Sequence, residues 1–521
     1  TGGNLASPYL KDPSIPSRVT GASYLTSSTT LQQERSVGMM GSIQYSLLDR
    51  YIVNTTVRYD GNSRFGKENR WGLFPSVSLW RLSGEPFMKP WMKWLNELSL
   101  RASYGLNGSS PKTNNNYTHI SLYDSYEYSY LGETGVYPAN LELSNLKWQT
   151  TTQVNFGMNF AAFKNRLNID VEVYQKRSKD QYFQNLSLPS TTGFTKADVN
   201  SGSMENKGFE LSVNTVPYRS KAWNISFNIN LARNINSILD VPDQYPMQKG
   251  VLTTNGQYVR RFELGQPIGA IYGFRYKGVY LNDDQTIARD ANGNKIYSYD
   301  ASGKRTPVQM RFAYPTIDYQ FKAGDAIYED INHDGNIDYQ DVVYLGNANP
   351  ILTGGFGPNI RYKSVSVSAF FNFRYGNKVI NKMGMSLQNM ASYNNQSKAV
   401  LRRWRHPYED EATAPTDLLP RAVYGSKNAY NYLGSDRFVE DGSFLRFKTL
   451  TVKYTFDKKQ LKNTFLQSCQ IWTTLSNLYV WTNYSGMDPE IALTGGAFKM
   501  GEDNSRIPRS FTATLGMSVT F

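Results

Sequence analysis

The sequence has very few of the residues that support thiol, metal or acid/base chemistry. It contains one cysteine, Cys469, and three histidines, His119, His333 and His406, among 521 residues. A single cysteine excludes an internal disulfide framework and any zinc site built from cysteines. Because so few side chains titrate near neutral pH, the composition gives little support to an enzyme.

The sequence also lacks long apolar runs. Its mean hydropathy is −0.51, and no apolar run approaches the ~18 residues of a membrane-crossing helix. This excludes a bundle of membrane helices but leaves membrane β-strands open, since alternation dilutes their apolar residues. The chain opens at Thr1 in a Gly/Ser/Pro-rich stretch without a charged-then-apolar leader, so we expect a processed or partial chain.

Apolar and polar residues alternate with period two through much of the chain, which predicts β-strands with two different faces. A soluble sandwich would also alternate, but many of these runs reach 10 to 16 residues. That exceeds the ~5 to 6 residues of globular strands and suits a tilted membrane crossing of ~9 to 11. In the run Ser364 to Tyr375, Phe370 is the one apolar residue on the polar face. The clearest case is the C-terminus, where the apolar residues are Phe511, Ala513, Leu515, Met517, Val519 and Phe521.

The connections between these runs alternate between short and long. Short links fall near residues 49–50, 164–166, 218–222, 362–363 and 457–464. Long polar segments are 61–70, 107–145, 184–202, 240–350, 377–440 and 485–509. Outer-membrane barrels have short periplasmic turns and long external loops, so this pattern assigns the two sides. Only the link 83–94 is longer than its predicted periplasmic side suggests.

These observations predict an all-β fold, a transmembrane antiparallel β-barrel. Thirteen strands are clear, and a further pair near 269–281 would make fifteen. Both counts are odd, whereas bacterial single-chain barrels have an even number of strands. We therefore expect residues 1–521 to be the C-terminal part of a larger barrel, with residues 240–350 as a long extracellular loop region.

Nine blocks in a fixed order carry a resemblance that covers nearly the whole chain. The chain resembles the SusC/RagA-like TonB-dependent outer-membrane transporters of the Bacteroidetes. The blocks are RYDGNSRFGKENRWGLFPSVS from Arg58, LSLRASYGLNG from Leu98, LKWQTTTQVNFGMNF from Leu146, GQPIGAIYGFRYKGVY from Gly265, GDAIYEDINHDGNIDYQD from Gly324, PILTGGFGPNIRYK from Pro350, FVEDGSFLRFKTLTVKYTF from Phe438, NYSGMDPE from Asn483 and the terminal aromatic strand.

The resemblance implies a barrel of about 22 strands filled by an N-terminal plug. It also implies a TonB-box segment that contacts TonB and a SusD-like lipoprotein lid outside the cell. The plug and the TonB box are not present in this sequence, so TonB would act through the missing region. With about 22 strands in total, the missing strands would number nine or seven.

Residues 330–341 read D-x-N-x-D-G-N-I-D-x-x-D, a twelve-residue calcium-loop pattern. Ca²⁺ takes six to eight oxygen ligands, and a sharp turn at the glycine lets alternate positions converge. Position twelve is Asp instead of the usual bidentate Glu, which predicts weaker binding or a water in its place. The alternative is a solvated acidic turn. We predict a structural calcium site with the ligands Asp330, Asn332, Asp334, Asn336 through its carbonyl, Asp338 and Asp341.

The other candidate sites have simpler interpretations. Asp170 and Glu172 could form a paired-carboxylate site, but we interpret them as polar residues facing the lumen. The basic run 402–405 beside His406 could suggest nucleic-acid binding. An acidic stretch follows it, so a loop exposed to anionic lipopolysaccharide or packed on a partner is favoured, with no nucleic-acid partner. Trp71, Trp80, Trp223 and Tyr375 are expected in interfacial girdles and Cys469 in the wall. Compared with the girdle residues, the loop aromatics are better ligand candidates: Tyr117, Tyr123, Tyr126, Tyr128 and Tyr130.

The functional prediction is a TonB-dependent importer of oligosaccharides or peptides in the outer membrane, working with a SusD-like lipoprotein and without catalytic chemistry. The substrate-binding residues are not identified by the sequence. A passive channel or surface adhesin on the same wall is the alternative. A membrane-embedded hydrolase is a third possibility and would need a nucleophile and a base that converge in the lumen.

Overall fold

A computed structural model describes most of the chain. The described residues are 32–48, 50–81, 85–110, 116–130, 133–194, 196–242, 248–249, 255–258, 260–299, 301–314, 317–408, 414–425, 429–457, 459–462, 464–490 and 501–521.

The main feature is one antiparallel sheet of thirteen long strands, in which each strand pairs with the next one along the chain. Two strands, at the ends of the sheet, pair on one side only within the described residues. The strands are β1 (Ser36–Leu47), β2 (Tyr51–Asn62), β3 (Trp71–Arg81), β4 (Leu95–Ser109), β5 (Gln149–Ala162), β6 (Leu167–Lys179), β7 (Ser203–Arg219), β8 (Trp223–Asp240), β9 (Leu352–Tyr362), β10 (Val365–Tyr375), β11 (Phe444–Thr455), β12 (Ser468–Thr482) and β13 (Thr512–Thr520).

The outer face of this sheet is apolar and uncovered. In β13, Leu515 is 77% exposed and Met517 is 63% exposed. In β8, the side chains of Trp223, Phe227 and Ile229 are also exposed. An apolar surface of this extent on one side of a sheet marks contact with lipid. Within the described residues, no protein core covers Leu515, as it would in the soluble sandwich considered above.

The connections at one end of the sheet are short. Two residues, 363–364, join β9 to β10, and Lys363 has a φ of 49°. Such left-handed turns match the twist of the strands they connect. The longer link between β3 and β4 carries two short 3-10 helices, Pro86–Met88 and Trp91–Lys93. By the rule for outer-membrane barrels, this end is periplasmic and the opposite end external.

The long connections at the external end have structure of their own. The stretch 269–281 does not add a pair to the long sheet: Ala270–Gly273 pairs with Val343–Asn347, and Tyr276–Val279 pairs with Ala326–Tyr328. The other loop strands are Tyr123–Tyr130, Glu133–Pro138, Tyr182–Ser187, Lys196–Asn200, Gln248–Lys249, Arg260–Arg261, Tyr297–Tyr299, Arg305–Pro307, Arg311–Tyr314, Ile317–Gln320, Lys378–Asn381, Val439–Asp441 and Glu502–Asp503.

Helices are short and lie in the connections. In the described residues, the one α-helix is Lys382–Gln388, and further 3-10 helices are Ser190–Thr192, Asp283–Thr286, Tyr339–Asp341, Lys398–Arg402 and Asp436–Phe438. Within the described ranges, no helix is long and apolar enough to cross a membrane.

An aromatic core packs the external loops into a module, here called the loop module and defined as residues 270–347 with 429–433. Phe274, Phe312 and Phe321 are fully buried in it, and Tyr328 is 2% exposed. Since these residues come from separate loop segments, the core explains how long loops keep a fixed arrangement.

Candidate functional site

The predicted calcium loop lies in the loop module, directly after the strand Ala326–Tyr328. Gly335 has a φ of 82°, and its N–H donates to Asp330 Oδ2 at 2.8 Å. The N–H of Asp334 donates to Asp330 Oδ1 at 3.3 Å. The first carboxylate of the pattern therefore lies inside a tight turn made possible by the glycine.

Asp341 closes the loop from its other end. Its side chain is fully buried, and its two carboxylate oxygens accept hydrogen bonds from the N–H groups of Ile331 (2.8 Å) and Asp338 (2.9 Å). The Asp338 carboxylate in turn caps the 3-10 helix by accepting from the N–H of Gln340 at 2.7 Å. Positions one, nine and twelve of the pattern are thus held together by backbone donors.

The two amide side chains of the loop make different contacts. The Asn336 side chain links the loop to a neighbouring strand, because its Oδ1 accepts from the N–H of Ala313 at 2.8 Å and its Nδ2 donates to Asp338 Oδ2 at 3.1 Å. The main-chain carbonyl of Asn336 remains the predicted ligand atom at this position. The Asn332 side-chain amide donates to Asp334 Oδ2 (2.9 Å) and Gln340 Oε1 (2.7 Å).

Burial and mutual repulsion perturb the carboxylates of this loop. Burial, with the charges of Asp330 and Asp338, raises the pKa of Asp341 to about 6. The pKa of Asp330 is also raised, by burial and by the charge of Asp334. A bound cation would relieve this repulsion. In the described part of the chain, no group of three or more His, Cys, Asp or Glu side chains is arranged to hold a metal ion. The calcium site stays a prediction.

The structure brings Asp170 and Glu172 together on the inner face of β6, with a partner that the sequence did not identify. Arg101 on β4 donates to both oxygens of Asp170 at 3.2 and 3.1 Å and to Glu172 at 3.0 Å. It reaches them across Gly157 of β5, where a Cβ would lie 2.3 Å from the guanidinium Nε. An arginine between two carboxylates forms an ion-pair cluster, and both acids line a cavity on the inner face, as the sequence predicts for polar residues facing the lumen.

The basic run 402–405 makes contacts within its own loop. Arg402 pairs with Asp417, and Arg403 donates to the main-chain carbonyl of Val400 at 3.2 Å. The indole N–H of Trp404 donates to the carbonyl of Leu281 at 3.2 Å, which ties this segment to the loop module.

Comparison with known proteins identifies the type of sheet. Residues 3–299 match the family model described as TonB dependent receptor-like, beta-barrel. The chain belongs to this family. Its members are outer-membrane proteins, so the exposed apolar face of this receptor barrel contacts the outer membrane.

Curated relatives resemble nearly all of the chain. TonB-dependent receptor P39 of Formosa agariphila is 29% identical over 514 residues, which cover 95% of this chain and 47% of that protein. TonB-dependent receptor SusC of Bacteroides thetaiotaomicron is 27% identical over 505 residues, covering 93% and 44%. The chain therefore spans about half the length of the curated relatives it matches.

Solved structures share the fold. The RagAB peptide transporter matches with a TM-score of 0.67 at 24% identity, covering 94% of this chain and 48% of the matched chain. The same importer in its open-open state matches with a TM-score of 0.71 at 23% identity, covering 95% and 48%. All these proteins are named as receptors or transporters, which agrees with the expectation of a non-enzymatic role.

The aromatic candidates of this receptor barrel fall into two groups, one at the ends of strands and one in the loops. Trp71 stacks on Tyr59 and Trp223 contacts Tyr362, with ring centroids 4.9 and 4.5 Å apart, at exposed strand ends where a girdle belongs. Tyr375 is 61% exposed and Cys469 is buried in β12. In the loop hairpin, Tyr123 and Tyr126 are exposed, while Tyr117 accepts from the N–H of Gln33. The side chains of Trp80, Tyr128 and Tyr130 lie outside the described residues.

Proposed function

We propose that this chain is the C-terminal barrel portion of an active importer that takes up oligosaccharides or peptides across the outer membrane. The observation that carries the proposal is the thirteen-stranded sheet, with an apolar exposed outer face, a polar inner face and long folded loops at one end only. A sheet of this kind supplies the wall and the external rim of a transport path. Membership of the TonB-dependent receptor family supports energy coupling through a plug in the other half of the protein.

The proposal includes a SusD-like surface lipoprotein as partner. The relative SusC and the fold likeness to RagAB support this choice. The test is to tag the full-length protein at its own locus and purify it from native membranes. A lipoprotein is expected in constant ratio to the barrel. Repeated isolation of the intact barrel alone would contradict the partnership.

Energy coupling is tested by uptake in cells. Depletion of an oligosaccharide mixture and of a peptide mixture from the medium is followed by mass spectrometry, with and without a functional TonB gene. We expect depletion of one mixture to require both this protein and TonB. Depletion that needs the protein but continues without TonB would instead establish a passive channel.

We also propose that the loop 330–341 binds Ca²⁺ as a structural ion. The seven matching pattern positions, the left-handed Gly335 and the crowded carboxylates of Asp330 and Asp341 support it. Asp330, Asp334, Asp338 and Asp341 would hold the ion with Asn332 and the carbonyl of Asn336. The bound ion would supply positive charge that fixes the loop.

The calcium proposal predicts a dissociation constant of ~10⁻⁴ to 10⁻³ M, the range of extracellular modules. Calcium should slow hydrogen exchange in residues 330–341 of the full-length protein, and the double variant Asp334→Asn, Asp338→Asn should abolish that effect. The control is Asp318→Asn, an exposed acid of the same module. Exchange that is indifferent to calcium in the unmodified protein would refute the site.

A further inference from the structure

The inner wall carries a row of directly opposed residues that runs unbroken across seven strands. Each member is paired with the next in the strand register. In order across β4 to β10 the row is Arg101, Gly157, Glu172, Glu210, Ala232, Thr353 and Arg374. It therefore has acidic residues near its middle, an arginine at each end and only small side chains between Glu210 and Arg374.

Within the part of the chain that the structure describes, the acidic part of the row is not fully neutralised. Glu172 and Glu210 lie directly opposite each other on β6 and β7, an arrangement that destabilises a sheet. Arg101 forms ion pairs with both Asp170 and Glu172, whereas Glu210 is exposed and forms no ion pair with any described residue. Among the described residues, Arg101 therefore neutralises at most part of the charge of these three carboxylates, and Glu210 has no counter-charge.

Basic residues lie on the other side of the small residues Ala232 and Thr353, opposite the acidic part of the row. Arg374 on β10 and Lys448 on β11 line the same cavity and form no ion pairs within the described ranges. Glu490, an acid whose charge acts on Arg374, lies 3.0 Å from Arg446 and 3.5 Å from Arg509. The register skips Lys448 in its pairing with both neighbouring strands. Such a bulge re-aims a side chain at a functional surface.

The trough between these charges, here defined by Glu210, Ala232, Thr353 and Arg374, belongs to a cavity of about 470 Å³. Phe370, the one apolar residue that breaks the polar face of β10, lines it. A Cβ at Gly355 would lie 2.7 Å from the Phe370 ring, so the glycine makes room for that ring. The cavity therefore combines an anionic side, a cationic side and an aromatic surface, within the size range of ligand pockets.

The spacing of the charges sets the length of a matching ligand. Glu210 and Arg374 are separated by three inter-strand steps of ~4.8 Å, or about 14 Å along the sheet. An extended peptide spans ~3.3 to 3.6 Å per residue, so about four residues cover this distance. An uncharged oligosaccharide would cover it too, but would leave Glu210 and Arg374 partly desolvated without counter-charges.

We propose that this trough binds short peptides of about four residues that have free amino and carboxyl termini. The ammonium group lies against Glu210 and Glu172, the carboxylate lies against Arg374 and Lys448, and an apolar side chain packs on Phe370. This inference rests on the proposed import function and assigns peptides, among its two substrate classes, to this wall.

The test measures binding of tetraalanine to the purified full-length protein by calorimetry. Compared with free tetraalanine, the N-acetylated peptide and the C-amidated peptide should each bind about tenfold more weakly, the equivalent of one lost charge contact. Glu210→Gln should remove the discrimination against acetylation and keep that against amidation. Arg374→Gln should do the reverse. The matched controls are Glu205→Gln on the same strand as Glu210 and Lys453→Gln on the strand of Lys448, both outside the cavity, and each should behave like the unmodified protein.

Three outcomes would overturn the inference. One is an absence of tetraalanine binding at millimolar concentration, and another is equal binding of capped and free peptides. The third is that both trough variants lower the thermal stability of the full-length protein without changing peptide affinity, which would assign the trough to a segment of the other half of the protein. TonB-dependent uptake is scored separately, so uptake of oligosaccharides without peptide binding would refute only this inference, whereas peptide binding without TonB-dependent uptake would refute only the import function.

Discussion

Asp325 joins two external loop segments that are far apart in sequence, and its removal should open the loop module. The fully buried carboxylate accepts from Arg421 Nε at 2.7 Å and from the Tyr319 hydroxyl at 2.6 Å. It also accepts from Asn431, 106 positions away, at 3.3 Å. Asp325→Ala would leave the Arg421 guanidinium, 26% exposed, without its counter-charge.

Removing one partner of a buried ion pair costs ~3 to 5 kcal/mol. Because Arg421 retains some solvent, we take the lower end, about 3 kcal/mol. This corresponds to an increase of roughly 100-fold in the population of the opened module. The long sheet does not depend on this carboxylate, so its strands should keep their protection.

The assay is hydrogen exchange of the full-length protein followed by mass spectrometry. Exchange of peptides that cover 317–337 and 429–433 should accelerate by about 100-fold in Asp325→Ala, while peptides from β11 and β12 stay unchanged. Asp284→Ala is the matched control, since Asp284 pairs with Lys295 at an exposed position of the same module. An acceleration below about threefold, or one that extends equally to β11 and β12, would refute the reasoning.

Three further predictions concern other parts of the molecule. Leu515→Arg on the lipid face should destabilise the refolded barrel in vesicles by ~2 to 4 kcal/mol in urea titrations, whereas Thr514→Arg on the inner face should cost far less. Burial and the charge of Arg70 lower the pKa of His119. The neutral form therefore stabilises its loop above pH ~6.5, and this contribution is lost as the pH falls through the lowered value. Hydrogen exchange of residues 116–130 should therefore become faster as the pH falls, and His119→Gln should reduce this pH dependence. Gly335→Ala should cost ~1 to 2 kcal/mol in loop stability by exchange, because its φ is 82° and a Cβ would lie 2.9 Å from that of Ala288.

The sequence was sufficient for the strands and the two ends of the sheet, because lipid on one side imposes period-two alternation. The runs ending at Phe521 and beginning at Trp223 became β13 and β8, and the predicted short links near 164–166 and 362–363 lie between directly paired strands. The stretch 269–281 also alternates, yet its strands pair inside the loop module. Alternation reports that one face is apolar, and it does not distinguish a lipid face from a packed loop core.

The inner wall could not be predicted to the same extent, because its arrangement depends on register between strands. Asp170 and Glu172 were identified as lumen-facing acids, but Arg101 lies 69 positions before Asp170 and meets it only through the pairing of β4, β5 and β6. The sequence alone does not explain Gly157, because only the register between strands shows that it lies beneath the Arg101 side chain. The cavity residues Glu210, Arg374 and Lys448 gave no sequence signal beyond lying on polar faces.

The row of opposed residues from Arg101 to Arg374 also contains a pairing that destabilises the sheet. Two glutamates directly opposite each other, Glu172 and Glu210, are unfavourable for strand pairing, and Arg101 offsets only part of their repulsion. If the wall only separated lipid from water, the sheet would be more stable with uncharged residues in place of these opposed acids. Asn, Ser and Thr residues of this kind line most of the inner face. This row has that cost, and Arg374, three strands from Glu210, and Lys448, four strands from it, form no ion pair with any described residue. It is therefore better explained by a charged occupant of the lumen than by the requirements of the barrel.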